Sequence, residues 1–202
     1  MFVMALRQVK REIRILGVDD ARFERGRDEW TRLIGVVFRG GKWIEGCIQV
    51  PIQVDGEDVT SQLVEMVKTS SHYGQLRVIM TRDTIFGGVN VLDLPELVEA
   101  THLPVIAVSD SKPDMTRVKK ALQQINPNTW EEKWAKLIKA GPIREVTSHP
   151  GRAPVYLQWE GIIFEQAVKV VQKSATRSRI PEPIRVAHII ASSFVPDYET
   201  GC

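Results

Sequence analysis

The order of the apolar segments constrains the fold most strongly, because three of them precede the first helical pattern. These segments are residues 14–20, 33–39 and 43–50, and the third continues at residues 53–54 beyond Pro51. Gly40 and Gly41 separate the second segment from the third, and such a pair supplies the positive φ of a tight hairpin. We therefore predict an antiparallel meander, which disfavours Rossmann and flavodoxin-like folds, where a helix follows the first strand.

Helical and extended patterns alternate after the meander. Leu63, Val64, Met66 and Val67 form the apolar face of a first helix. The later pattern predicts strands at residues 76–80 and 104–108, strands or extended loops at 143–146 and 155–159, and helices at 95–100, 113–125, 130–140, 162–172 and from Pro183. Strand–helix–strand spacing implies parallel strands joined by crossovers. The whole order predicts an α/β protein with a ribonuclease H-like mixed sheet and flanking helices.

Length and composition limit the class of protein. The chain has 202 residues, 43% hydrophobic and 26% charged, which suits one globular domain over residues 1–202. The net charge of +2 does not by itself indicate nucleic-acid binding. Cys47 and Cys202 form no metal-binding pattern and no convincing disulfide framework, so we expect a cytoplasmic protein. No apolar run is long enough to cross a membrane, and the oligomeric state stays open.

Carboxylates lie at the ends of three predicted elements. Asp19 and Asp20 end the first strand, where adjacent side chains point to opposite faces, so we expect Asp19 to face a site and Asp20 to face away. Asp58 precedes the first helix, and Asp83 follows the fourth strand. Mg²⁺ takes oxygen ligands, often one or two carboxylates completed by waters and substrate phosphate. The pattern predicts that Asp19, Asp58 and Asp83 bind Mg²⁺, with Mn²⁺ as a substitute, in a phosphodiester-cleaving site.

Basic residues are placed for contact with phosphate. Lys112 follows the fifth strand, at the same sheet edge as the acidic tips, and can contact a scissile phosphate as a point charge. The candidate catalytic set is therefore Asp19, Asp58, Asp83 and Lys112. Further candidates for phosphate contact are Arg22, Arg25, Arg82, Arg177 and Arg179.

Each of these candidates also has an ordinary structural interpretation. Asp58 can cap the helix that follows it, Asp83 can pair with its arginine neighbour, and Lys112 can be a solvated loop residue. Asp93 is expected to be a helix N-cap outside the site. His188, alone on the last helix, is interpreted as a partly buried polar residue rather than a ligand.

Segments along nearly the whole chain carry a family resemblance. They are residues 15–20, 35–40, 54–60, 88–94 and 103–106 and, most specifically, residues 180–192, which read Ile-Pro-Glu-Pro-Ile-Arg-Val-Ala-His-Ile-Ile-Ala-Ser. In this order they resemble the family called domain of unknown function ninety-nine. That family is considered related to endonuclease V, a ribonuclease H-like, Mg²⁺-dependent enzyme that cuts nucleic acid near deaminated purines. The resemblance implies an endonuclease V-like domain with DNA or RNA as its partner.

The resemblance transfers the candidate site only in part. Asp19 matches the first-strand aspartate of endonuclease V, and Asp58 stands about where that enzyme places its glutamate. Arg82 takes the position where the family usually has an acidic residue, and Asp83 comes one residue later. Ala21 replaces the usual glycine after the aspartate pair. A guanidinium in the acidic position would repel a metal ion.

Two functional hypotheses follow from these observations. The first is a Mg²⁺-dependent nuclease of endonuclease V type. The second is a catalytically inactive ribonuclease H-like module that binds nucleic acid or a protein partner, which Arg82 and the low net charge favour. A third, a hydrolase of small phosphorylated molecules, rests only on the acidic sheet edge.

Overall fold

The computed structural model describes residues 9–194, in which a mixed sheet of seven strands carries helices on both faces. Within this range the strands are β1 (Arg14–Asp20), β2 (Trp30–Arg39), β3 (Trp43–Gln53), β4 (Val78–Thr81), β5 (Ile85–Phe86), β6 (Asn90–Val91), β7 (Val105–Ser109), β8 (Arg144–Val146) and β9 (Val155–Glu160). The helices are α1 (Val59–Thr69), α2 (Leu94–Thr101), α3 (Met115–Ile125), α4 (Trp130–Lys139), α5 (Phe164–Ser174) and α6 (Glu182–Ser193), with a 3-10 turn at Tyr73–Gln75.

The strand order in the sheet is β3-β2-β1-β4-β7-β9-β8. Strands β1, β4 and β7 are parallel, while β2 and β3 add antiparallel strands on one side and β9 and β8 on the other. This arrangement confirms the predicted mixed sheet of an antiparallel meander plus parallel strands. β1 lies inside the sheet between β2 and β4, so its C-terminal end is flanked by strands on both sides.

Several element boundaries differ from the sequence-based predictions. Strand β2 begins at Trp30, three residues before the predicted segment 33–39, because its pairing with β3 extends to Gln53. Strand β3 continues through Pro51, which an edge strand tolerates because the missing N–H would face outward. The segment between β4 and α2, where no strand was predicted, contains the β5–β6 hairpin. The segments 143–146 and 155–159, predicted as strands or extended loops, are strands β8 and β9.

Two apolar layers enclose the sheet. On one face Leu16 and Val18 pack in a cluster with the buried side chains of α1 and α2. On the other face Ile15 packs in a cluster with side chains of α5 and α6. Successive side chains of β1 therefore pack alternately into the two apolar layers, as expected for a strand buried on both faces. No helix within residues 9–194 has the length and apolar character needed to span a membrane.

Helix α6 lies unusually close to β1. A Cβ atom at Gly17 would overlap the backbone carbonyl group of Pro183, near the start of the helix. Pro183 is buried, and Ala187, one turn later, is also buried. Only glycine permits this backbone approach, so the position of α6 over the strand depends on Gly17.

We expect Gly17→Ala to lower the free energy of unfolding by about 3 kcal/mol, because the added methyl group forces α6 away from the sheet. Urea unfolding monitored by circular dichroism measures the change. Gly74→Ala is the matched control, since a Cβ at Gly74 meets nothing within 4 Å. Equal losses in the two variants would contradict the close approach of α6.

Candidate functional site

The three parallel strands end side by side at one edge of the sheet. Val18 of β1 pairs with Thr81 of β4, and Thr81 pairs with Ala107 of β7. The next residues along these strands are therefore neighbours in the sheet, which places Asp19 beside Arg82. Because side chains alternate, the acidic residues at this edge are divided between the two faces.

The face toward α6 carries a row of alternating charge. The Nδ1 atom of His188 lies 2.7 Å from Oδ2 of Asp19. The Arg82 side chain approaches the same oxygen through Nε at 3.8 Å and reaches Oδ2 of Asp110 through its terminal nitrogen at 3.2 Å. The Asp19 side chain is only 6% exposed, whereas that of His188 is 48% exposed. A buried carboxylate is thus linked to an accessible imidazole and a guanidinium.

The opposite face carries Asp20 and Asp83. Oδ2 of Asp20 accepts a hydrogen bond from the backbone N–H of Gly87 at 2.7 Å, which ties β1 to the β5–β6 hairpin. Oδ1 of Asp83 accepts one from the N–H of Thr84, also at 2.7 Å. Asp20 leaves the strand away from His188, as the alternation predicts. The charge of Asp83 still reaches Asp19 across the strand ends and contributes to raising the pKa of Asp19.

Asp58 has a structural role in the turn before α1. Its carboxylate accepts hydrogen bonds from the side-chain amide of Asn90 at 2.7 Å and from the backbone N–H of Gln53 at 3.1 Å. It occupies the N-cap position of α1 but makes no side-chain cap hydrogen bond. Asn90 in turn accepts from the N–H of Val59 at the start of that helix. Asp58 therefore joins the β3–α1 turn to the β5–β6 hairpin.

The basic candidates divide into edge residues and structural residues. Arg25 pairs with Asp55, and Arg177 lies 3.8 Å from the buried Glu182. Arg179 donates to the backbone carbonyl of Asp110, so it lies at the end of β7. Lys112, also beyond β7, has an exposed side chain, and its contact with phosphate stays a prediction.

Burial changes the acidity of the groups at this edge. Desolvation raises the pKa of Asp19 to about 6, partly opposed by the nearby Arg82 charge and by the hydrogen bond from the Asp20 N–H. Burial also raises the pKa of Asp20 to about 6 and raises the pKa of Asp83. The pKa of His188 is lowered by burial and by Arg82.

These pKa shifts determine which of Asp19 and His188 carries the proton that lies between them. At neutral pH an ionised Asp19 accepts a hydrogen bond from Nδ1–H of a neutral His188 imidazole. The second ring nitrogen, Nε2, then carries a lone pair. Because half of the His188 side chain is exposed, this nitrogen can accept a proton from a group outside the protein.

The predicted metal ligands do not form a site in this structure. Between residues 9 and 194 no three His, Cys, Asp or Glu side chains are grouped so that they could hold a metal ion. Asp58 is engaged in the turn before α1, and the Arg82 guanidinium stands beside the Asp19 oxygen that a cation would use. The residues as arranged therefore do not fit a divalent cation, and Mg²⁺ stays a prediction.

Sequence reasoning missed two members of this site. His188, interpreted as a partly buried polar residue, instead contacts Asp19, and its place in the most specific resembling segment was the available signal. Asp110 follows β7 as Asp83 follows β4, so the same strand-end argument applied to it. Asp93 is outside the site and caps α2 by accepting from the N–H of Glu96, as predicted.

Residues 11–195 match the family described as Endonuclease dU. The chain belongs to this family. A UPF0215 protein of Methanothermobacter thermautotrophicus is 49% identical over 92% of the chain and 89% of the relative. These matches confirm that the chain belongs to a family with uncharacterised relatives, whereas its predicted identity as domain of unknown function ninety-nine stays a prediction.

Solved structures confirm the fold. A protein of unknown function from Archaeoglobus fulgidus superposes with a TM-score of 0.79 and 29% identity, covering 89% of this chain and 96% of the other. Endonuclease V of Ciona intestinalis, in complex with a 24mer DNA containing an inosine followed by a ribo-adenosine, gives a TM-score of 0.60 at 15% identity, covering 93% and 86%. The Endonuclease dU family member thus has the ribonuclease H-like fold of endonuclease V.

The raised pKa of Asp19 predicts a pH-dependent cost to stability. Well below pH 4 the carboxyl is protonated in both the folded and unfolded states, so its burial costs nothing extra. The cost grows between about pH 4 and pH 6, where the unfolded state ionises and the folded state keeps its proton, and it is complete above about pH 6. We expect Asp19→Asn to stabilise the protein by up to about 3 kcal/mol near pH 8 and by little near pH 4. Urea unfolding at both pH values measures this difference. Glu99→Gln, at an exposed position of α2, should show no such pH dependence.

Proposed function

We propose that this member of the Endonuclease dU family is a nuclease that hydrolyses phosphodiester bonds in nucleic acid containing a deaminated base. The observation that carries the proposal is the Asp19–His188 pair, with 2.7 Å between the two side chains, at the edge where the parallel strands end. Ligands of open α/β sheets bind outside the carboxyl ends of the strands. The family match and the endonuclease V fold support nucleic acid as the substrate class.

The pair can act as an acid–base unit. Asp19 orients the imidazole and favours its Nδ1–H tautomer, so Nε2 of His188 is free to accept a proton from a water molecule. As the proton moves to Nε2, the water oxygen bonds to phosphorus and the bond to the leaving oxygen breaks. That oxygen then takes a proton, either from the imidazolium or from solvent.

Positive charge at the same edge is available for the phosphate. Arg82 lies beside Asp19, and Arg179 and Lys112 lie beyond the end of β7. Guanidinium and ammonium groups attract phosphate oxygens and stabilise negative charge as it develops. No step is assigned to Mg²⁺, because the residues do not fit it as arranged. Reactions with Mg²⁺, with Mn²⁺ and with EDTA test that prediction directly.

Cleavage of labelled oligonucleotides tests the proposal. DNA and RNA strands carrying one uracil or one inosine should be cut near that base, and matched strands without it should not. Asp19→Ala should abolish cleavage, since the group that orients His188 is lost, while Glu99→Gln should cleave as the unmodified chain does. No cleavage across this panel under any of the metal conditions would contradict the proposal.

The acid–base role predicts a specific loss at His188. We expect His188→Gln to lower kcat by about a hundredfold, since a positioned general base contributes roughly this factor or more. For the unmodified chain, activity should rise with pH up to about 6 and then level, because Asp19 must be ionised. His149→Gln, in the loop between β8 and β9, is the matched control. An unchanged kcat in His188→Gln would exclude the imidazole as base.

A second candidate function is a catalytically inactive module that binds nucleic acid. The guanidinium of Arg82 beside Asp19 and the engagement of Asp58 in a turn favour it. This candidate predicts nucleic-acid binding without cleavage, with equal affinity in Asp19→Ala. Electrostatic affinity for nucleic acid is strongest at low salt concentration. If the protein binds neither DNA nor RNA under that condition, a protein partner becomes the better explanation.

A further inference from the structure

Arg82 is held between two carboxylates at the end of β4. Its Nε lies 3.8 Å from Oδ2 of Asp19, and its terminal nitrogen lies 3.2 Å from Oδ2 of Asp110. The two acids differ in accessibility, because the Asp19 side chain is 6% exposed and the Asp110 side chain 46%. The inner contact is therefore protected from solvent, and the outer contact is open to exchange with another anion.

The position of this guanidinium matters for what the site can hold. It lies beside Oδ2 of Asp19, the oxygen that also contacts His188 and that a cation bound by this carboxylate would have to share with the guanidinium. A cation bound to Asp19 and the neighbouring Arg82 guanidinium would repel each other strongly, because water screens charges only weakly in a partly buried place. The positive charge at the centre of the edge is thus supplied by the chain itself.

We infer that Arg82 is the phosphate-binding group of this site and takes the place of a divalent cation there. The inference rests on the proposed function for the class of ligand, a nucleic-acid phosphate. A guanidinium presents a planar set of N–H donors that matches two oxygens of a phosphate at once. Asp19 orients the side chain from the inner end, so the terminal nitrogens face outward.

Asp110 is the internal competitor for those nitrogens. In the free protein its exposed carboxylate accepts from the Arg82 terminal nitrogen, in the direction from which a phosphate would approach. Binding of a nucleic-acid phosphate then exchanges one anionic acceptor for another and does not require Arg82 to leave Asp19. Removing the Asp110 charge should consequently strengthen phosphate binding, whereas a purely structural ion pair predicts no gain.

Fluorescence anisotropy in EDTA, with a DNA strand that carries no deaminated base and so is not expected to be cut, measures binding without cleavage. We expect Arg82→Gln to weaken binding roughly tenfold, the value of one strong charge-assisted hydrogen-bonding group. Arg77→Gln is the matched control, because Arg77 flanks the other end of β4 and donates to backbone carbonyls there. Equal effects of the two substitutions would overturn the inference.

Asp110→Asn is expected to strengthen binding instead. Its affinity for the DNA should be about threefold higher than that of Asp114→Asn. Asp114 is exposed and caps α3, a role that asparagine also performs, so both variants lose one negative charge at nearby positions. Equal affinities of these two variants would contradict competition between Asp110 and phosphate. Asparagine has nearly the same shape as aspartate, so both variants should fold normally. This comparison therefore still tests the inference if Arg82→Gln fails to fold.

The unmodified chain should bind the DNA equally well in EDTA and in Mg²⁺, and a requirement for Mg²⁺ would overturn the inference. A titration with Mn²⁺ alone, followed by electron paramagnetic resonance, should show only the free ion. A bound ion that Asp19→Asn removes would equally contradict it. These measurements record binding and not cleavage. They can therefore support or contradict the role of Arg82 even if the protein proves not to hydrolyse nucleic acid.

Discussion

The backbone contact between Gly17 and Pro183 is the constraint on which the candidate site depends. It allows α6 to lie directly on β1, with no side chain between the helix and the strand. His188 is carried by that helix and Asp19 by that strand, so the 2.7 Å contact between them follows from this approach. A larger residue at position 17 would therefore separate Asp19 from His188 even though it replaces no polar group.

The burial of Asp19 has opposite consequences for stability and for chemistry. An ionised carboxylate with little exposure costs folding free energy, which is why its pKa rises to about 6. The same desolvation strengthens the interactions of the carboxylate with His188 and Arg82, because nearby water no longer screens them. The destabilising charge thus lies where the proposed acid–base pair and the proposed anion-binding group would use it, and functional sites commonly retain such charges.

The fold was largely predictable from the sequence, whereas the composition of the site was not. The meander, the crossovers and the final helix followed from apolar periodicity and from the glycine pair at residues 40–41. Asp19 was found because a carboxylate at the end of a buried strand is a strong local signal. Asp58 was assigned to the metal site from its place before a helix, yet its contacts with Asn90 and Gln53 depend on the β5–β6 hairpin, which no local pattern indicated.

The sequence by itself determined the order of elements, the buried strand and its acidic end, since these depend on neighbours along the chain. Only the tertiary structure decided which charged groups meet. The parallel register places Arg82 beside Asp19, and the packing of α6 brings in His188, which is distant in sequence. Strand alternation then separates Asp83 from the α6 face. Such contacts depend on register and on helix position to within about one residue, and local sequence patterns do not define either to that accuracy.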